Sequence, residues 1–237
     1  MPEGAPRRRA GKHRVAEPLP LGTLRNVAVL SREEFDAIEF DAAVSGDHQA
    51  AARRMSKLAV TATQTDSMPR SEAFLRAGEQ WLLADDPAAA ASGFRLAMAD
   101  GGPVFVDPRV PLARALFLLG KSAEAQSLLD DLKAGGRRDP RTCDLVAELL
   151  VERSDLTGAL DWATAGVELC LQRRHNSVPA QREPEEDAAP GNGGDAPAAA
   201  GSGDAEAELR LLLSLRYRIR NDLGLPEDRY DGLLDDV

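Results

Sequence analysis

The chain has 237 residues, 43% of them apolar, a net charge of −10 and two cysteines. That length fits one medium domain or a repeat array with tails. The acidic balance argues against a general nucleic-acid binder, which carries a basic face. The apolar fraction leans on Ala and Leu and only 4% of residues are aromatic, so close helix packing is favoured over sheet. Arg outnumbers Lys, and Ala, Gly, Asp and Pro are abundant, a usage that points to a GC-rich bacterial genome. There is no leader of basic, apolar and small-residue parts and no apolar run long enough to span a membrane. Cys143 and Cys170 are therefore expected as reduced thiols of a cytoplasmic protein with no membrane anchor.

Residues 1–31 mix Pro, Gly and Arg with little to bury, and are expected to form a basic, mostly disordered arm. Ser31 with Glu34 fits a capping box that opens a helix over 32–44. Gly46 and Asp47 break it, a second helix follows over 48–60, and "TQTDSMPR" reads as a loop. Helices over 71–84 and 87–99 are separated by "DDP", where Asp86 can cap and Pro87 suits the first helical position. The same device recurs at Asp107-Pro108 and Asp139-Pro140. Between them lie a helix end, a turn at Gly120 and a helix stopped by Gly135 and Gly136. Helices over 140–153 and 155–174 complete a helical domain assigned to 32–176, and no stretch alternates as a strand does.

Residues 177–203 are acidic and rich in Pro, Gly and Ala, the composition of a disordered linker. In the final segment, 204–237, Leu209, Leu212, Leu215, Ile219 and Leu223 share one helical face, which should dock onto something. Gly224 ends that helix and Pro226 can open a short last one.

Aligning the inter-helix turns places Asp85, Gly120 and Ser154 in register at steps of 35 and 34, with Ala90, Ala125 and Ala159 in register beside them. In one unit Phe74, Ala77, Gly78, Trp81, Ala90, Phe94 and Ala97 alternate large with small. Small residues let two antiparallel helices approach, and large ones fill the gaps beside them. The period and these residues resemble the tetratricopeptide repeat. Looser units carry Ala113, Leu116, Ala125, Leu129 and Leu132, then Cys143, Val146, Ala147, Leu150, Ala159 and Ala163. A degenerate unit before them has Phe35, Ile38, Ala42, Ala51 and Leu58. The resemblance implies an all-α, right-handed α-solenoid of three to four helix-turn-helix units with a C-terminal capping helix. The ending "RYRIRNDLGLPEDRYD" is similar to that of some actinobacterial repeat proteins with a metal-binding Cys-rich module. This chain lacks the module's closely spaced cysteines, so no metal is implied.

In that family the first helices of successive units line a concave groove for a peptide or helix. By position, the groove here holds Phe40, then Leu75, Glu79 and Leu82, then Val110, Arg114 and Phe117, then Asp144, Glu148 and Val151. An apolar stripe edged with charge suits an amphipathic helix or apolar peptide. The Lys and Asn positions by which carboxylate-clamping members hold a chain terminus are occupied here by residues such as Leu75, Val110 and Asp144, which argues against that subtype. His13, His48 and His175 have no metal-site spacing, and no phosphate loop or nucleophile elbow occurs, so neither catalysis nor a cofactor is expected. The expected function is a non-catalytic protein-interaction adaptor. Two alternatives stand beside it: a regulator contacting nucleic acid through the basic arm, and a structural domain whose groove its own C-terminal helix fills.

Overall fold

The computed structural model describes residues 29–62, 64–65, 67–136, 139–177 and 202–235. The expected arm and linker fall almost wholly outside them. The described part is an all-α, solenoid-like stack: β1 (Val29–Leu30), α1 (Arg32–Ser45), α2 (His48–Thr61), β2 (Gln64–Thr65), α3 (Arg70–Leu83) and α4 (Pro87–Asp100) lead into α5 (Arg109–Leu118), α6 (Ser122–Ala134), α7 (Pro140–Glu152), α8 (Leu156–Ser177) and α9 (Ser202–Asp222). A 3-10 helix at Asp231–Asp235 follows. β1 and β2 form a two-residue parallel pair, Val29 with Gln64 and Leu30 with Thr65, too short to leave a pattern in the sequence. Through it residues 29 and 30, assigned to the arm, are instead tied to the domain, with Leu30 fully buried.

Each expected helix is present, and local chemistry sets its ends. Ser31 Oγ accepts from the Glu34 amide at 3.2 Å. The reciprocal half of the capping box is absent, because the Glu34 carboxylate is turned to Arg54 instead. Asp47, Asp86, Asp139 and Asp155 each accept from the amide three residues on, at 2.9 to 3.0 Å. Asp107 differs: its carboxylate accepts from the Arg109 amide, two residues on, at 3.0 Å. Pro226 opens no helix, and the last turn of 3-10 helix starts only at Asp231.

Three turns carry the repeat. Asp85, Gly120 and Ser154 all adopt left-handed backbone, with φ of 57°, 73° and 61°. Their amides bond to the carbonyls of Leu82, Phe117 and Val151, and the next amides bond to those of Trp81, Leu116 and Leu150, all at 2.9 to 3.0 Å. That double bond is the Schellman closure of a helix C-terminus. It recurs after α9, where Gly224 (φ 66°) bonds to Asn221 and Leu225 to Arg220.

Most helices pack on their chain neighbours, while α7 rests on α5 and α9 rests on both α7 and α8. Two rows result. The first row, α1, α3, α5, α7 and α9, is tied by Arg76 to Glu39 and Asp36 and by Arg114 to Glu152. The second row, α2, α4, α6 and α8, is tied by Arg95 to Glu124 and Lys133 to Asp161. One core runs between them from Leu30 to Ile219 and includes nearly every residue of the repeat register, with Trp81 and Leu58 half-buried at its edge. Gly78 and Gly93 let α3 and α4 touch: a Cβ on Gly78 would stand 2.5 Å from Phe94, and one on Gly93 would stand 3.2 Å from the Gly78 Cα.

The amphipathic C-terminal helix continues the stack. Leu209, Leu212, Leu213, Leu215 and Ile219 are buried against α7 and α8, and a Cβ on Gly166 would meet Leu212 at 2.7 Å. Arg216, with 4% of its side chain exposed, donates to Asp228, Asp231 and Thr164 and lies 4.6 Å from the Tyr230 ring centroid. It fastens the final loop onto α9, and the Tyr230 hydroxyl completes the fastening by donating to Glu168 of α8 at 2.8 Å.

Candidate interaction face

The turn register assigns equivalent positions to α3, α5 and α7. Three residues before each turn stand Leu82, Phe117 and Val151, all half-buried. Six before stand Glu79, Arg114 and Glu148, of which the two carboxylates are exposed and Arg114 half-buried. Ten before stand Leu75, Val110 and Asp144. Of that last set Leu75 and Val110 are only 1% and 5% exposed, so they face neighbours rather than an open groove, whereas Asp144 is half-buried. Counted from the left-handed Gly46, Phe40 takes the position of Glu79, Arg114 and Glu148 and is 70% exposed, so it extends that line rather than the line of Leu82, Phe117 and Val151. The first row therefore offers a half-buried apolar ladder of Leu82, Phe117 and Val151, packed against the core on one side, beside a charged one. In α9 the same register gives Asn221, so the apolar line ends there.

Neighbouring aromatics and cations stiffen this face. The Arg153 guanidinium lies 4.8 Å from the Phe117 ring centroid, and Arg141 lies 3.7 Å from that of Phe105, a residue 70% exposed in the loop before α5. That loop is held by Ser71, which donates to the Pro103 carbonyl at 2.8 Å, and by Glu72, which accepts from the Phe105 amide at 2.9 Å.

At the N-terminal end of the row a cleft of about 290 Å³ opens between α1, α3 and this loop. Asp36, Glu39, Glu72 and Glu79 line it with Arg76, and Leu75 forms part of its wall. Arg76 is the keystone: Nε donates to Glu39 at 2.9 Å, Nη2 to Asp36 at 2.6 Å, and the Phe35 ring lies 5.7 Å away. Burial opposes its charge, but the hydrogen bonds it donates to Glu39 and Asp36 outweigh this and hold the guanidinium firmly protonated. Glu79 lacks such a partner. Desolvation, then the nearby Glu39 and Glu72, push it up to about 7 against the pull of Arg76. It is open to solvent by area yet flanked by protein on several sides, as a group inside a concave face is. At the other end desolvation, Glu148 and Glu208 push Asp144 up to about 6. The face thus crowds carboxylates together at both ends of its apolar ladder.

A cleft of about 590 Å³ lies elsewhere, on the second row between α4, α5 and α6, lined by Met98, Leu112 and Leu128 together with Ser127 and the Arg95–Glu124 pair. Its lining is mostly apolar, and the first row holds the denser cluster of charged groups. Cys143 and Cys170 are both buried, and burial followed by Glu208 pushes the Cys170 thiol up to about 11. Among the described residues no cluster of His, Cys, Asp or Glu is placed to hold a metal, and no helix is long and apolar enough to cross a membrane.

The ion cluster of α1 and α3 was not among the expected site residues, apart from Leu75 and Glu79 at its edge. Its one signal was Glu72, Arg76 and Glu79, charged residues recurring at helical spacing in an otherwise core-like helix. No family model, curated protein or solved structure matches the chain.

Proposed function

We propose that this protein is a non-catalytic interaction adaptor whose first helical row receives a peptide or amphipathic helix of another protein. The observation that carries the reading is the half-buried line of Leu82, Phe117 and Val151 at equivalent positions of three successive first-row helices, beside Glu79, Arg114 and Glu148. Packed helices stand about 8–10 Å apart, so the line spans about 20 Å, the length of about 13 residues of helix. A ligand with apolar anchors at that pitch and basic groups towards its ends would meet both ladders. The carboxylates at the ends of the row repel phosphate, which disfavours nucleic acid there. The resemblance to tetratricopeptide repeats, and the bacterial, cytoplasmic setting suggested by composition, belong to the same reading.

A photoreactive residue at position 148 of the full chain tests it in extract of the native cell. The expected product is a discrete protein adduct that is absent when the same group stands at exposed Ser127 on the second row. Equal adducts from both positions would count against the first row as the binding face.

A further inference from the structure

The units of the stack are not joined alike. At three junctions the second helix of one unit lies along the first helix of the next: α2 along α3, α4 along α5 and α8 along α9. The remaining junction differs. α6 packs on α5 but scarcely meets α7, and the two units touch chiefly through α5 and α7. A cleft of about 410 Å³ lies where that contact is missing. Ser122, Ala123 and Gln126 line it from α6, none of them large and apolar, and Leu150 and Arg153 line it from the end of α7. The cleft of about 590 Å³ between α4, α5 and α6 lies on the other side, so α6 leans on α5 between two open spaces.

What crosses this seam is mostly charged and exposed. Arg114 of α5 donates to Glu152 of α7 at 2.8 Å, and Lys133 of α6 pairs with Asp161 of α8 at 2.9 Å, the four side chains being between 38% and 57% exposed. The Arg153 guanidinium lies against the Phe117 ring, and that of Arg141 against Phe105. Exposed ion pairs hold weakly and are screened by salt. Beneath them the core continues from α5 into α7, so the units stay joined there. The chain itself leaves α6 through Gly135 and Gly136, the second in left-handed backbone with φ of 62°.

We propose that the seam is a hinge: α1–α6 and the part from α7 to Asp235 are two bodies that rock about the α5–α7 contact, latched in the closed setting by the Arg114–Glu152 and Lys133–Asp161 pairs. Hinges take up their motion at a few residues, often small ones at the ends of elements, and Gly135 and Gly136 are such residues. The motion opens and closes the cleft and changes the distance from Phe117 to Val151, which stand on opposite sides of the seam. A first-row ligand, which rests on the function proposed above, holds one setting by binding it more tightly. The hinge belongs to the free chain, and it stands or fails without that ligand.

Double electron–electron resonance on the full chain tests it, with nitroxides carried on ketone-bearing residues so that Cys143 and Cys170 are left untouched. Labels at exposed Ala50 and Thr157 span the seam, whereas labels at Ala50 and exposed Ser127 lie within the first body. In about 0.05 M salt both distance distributions should be narrow. In about 1 M salt, where the screening length falls to about 3 Å, the Ala50–Thr157 distribution should widen about twofold and the Ala50–Ser127 distribution should not. Arg114→Ser/Lys133→Ser should widen the seam-spanning distribution already in low salt, leaving added salt without further effect. Two distributions that stay narrow in high salt and in the variant overturn the hinge. Two that widen together also overturn it, because α6 is then parting from α5 or the whole stack is loosening.

Discussion

Asp85 and Ser154 lie two repeats apart yet close their helices with the same left-handed backbone, φ 57° and 61°, and the same pair of hydrogen bonds. At the equivalent turn between them stands Gly120, the residue that tolerates this conformation without steric cost. Left-handed backbone costs an L-residue about 1–2 kcal/mol, partly recovered by Asp through local hydrogen bonding. Ser154→Gly is expected to stabilise by up to about 1 kcal/mol, the strain relieved less the added entropy of the unfolded glycine, and Gly120→Ser to destabilise by a similar amount. Urea melts of the two variants check the pair, and shifts of the same sign would mean that the turns are not equivalent.

The α3–α4 contact gives a second expectation. The Phe94 ring occupies the space that a Cβ on Gly78 would need, and Phe94, fully buried, has nowhere to swing. Alanine in a helix interior gains about 1 kcal/mol over glycine, while overpacking a core costs about 1–3. Gly78→Ala should therefore lower stability by up to about 2 kcal/mol despite its better helix propensity. A raised melting temperature would show that α3 and α4 are not in such close contact.

The crowded carboxylates make stability depend on pH. Glu79 rises from 4.5 to about 7 on folding, so the folded chain keeps a proton that the unfolded chain has released. Its contribution is fully present below about pH 4.5 and is lost as pH rises through about 7. Asp144, raised to about 6, acts with the same sign. Glu79→Gln cannot ionise, and should gain melting temperature over wild type at about pH 8 but not at about pH 4. A pH-independent difference between the two would place Glu79 away from Glu39 and Glu72.

Arg216 holds the last loop. Its side chain is almost wholly enclosed by Asp228, Asp231, Thr164 and Tyr230. Removing one partner of a buried ionic cluster costs about 3–5 kcal/mol, because the remaining charges stay desolvated. In Arg216→Ala residues 225–235 should become sensitive to limited proteolysis while α3–α6 keep their exchange protection. Unchanged cleavage in the tail would show that the apolar contacts of α9 hold it without the arginine.

Much of this architecture was legible because it is written in local chemistry. Asp at a helix start, Gly or its stand-in at a left-handed turn, and the alternation of Phe74, Gly78, Ala90 and Phe94 each act within a few residues or one helix pair. What the sequence obscured depends on how successive helices rotate against one another. Leu75 and Val110 sit at the expected register but turn into neighbours, whereas Phe40, in the register of Glu79 and Glu148, stays exposed. The Arg76 cluster joins side chains about 37 to 40 residues apart, a distance at which helical spacing carries no information. The amphipathic tail was evident, but its place as the next first-row helix rests on Gly166 admitting Leu212, a contact between distant segments.

The central claim is that the first row receives a protein ligand. Affinity capture from the native cell extract, quantified by mass spectrometry for wild type and for the full chain carrying Glu79→Lys and Glu148→Lys, tests it most directly. Both positions are exposed and the lysines relieve carboxylate crowding, so the variant should keep the wild-type circular dichroism and melt no lower than wild type. A protein retained by wild type and lost from the folded variant is the predicted result. Identical sets captured by both forms would contradict it.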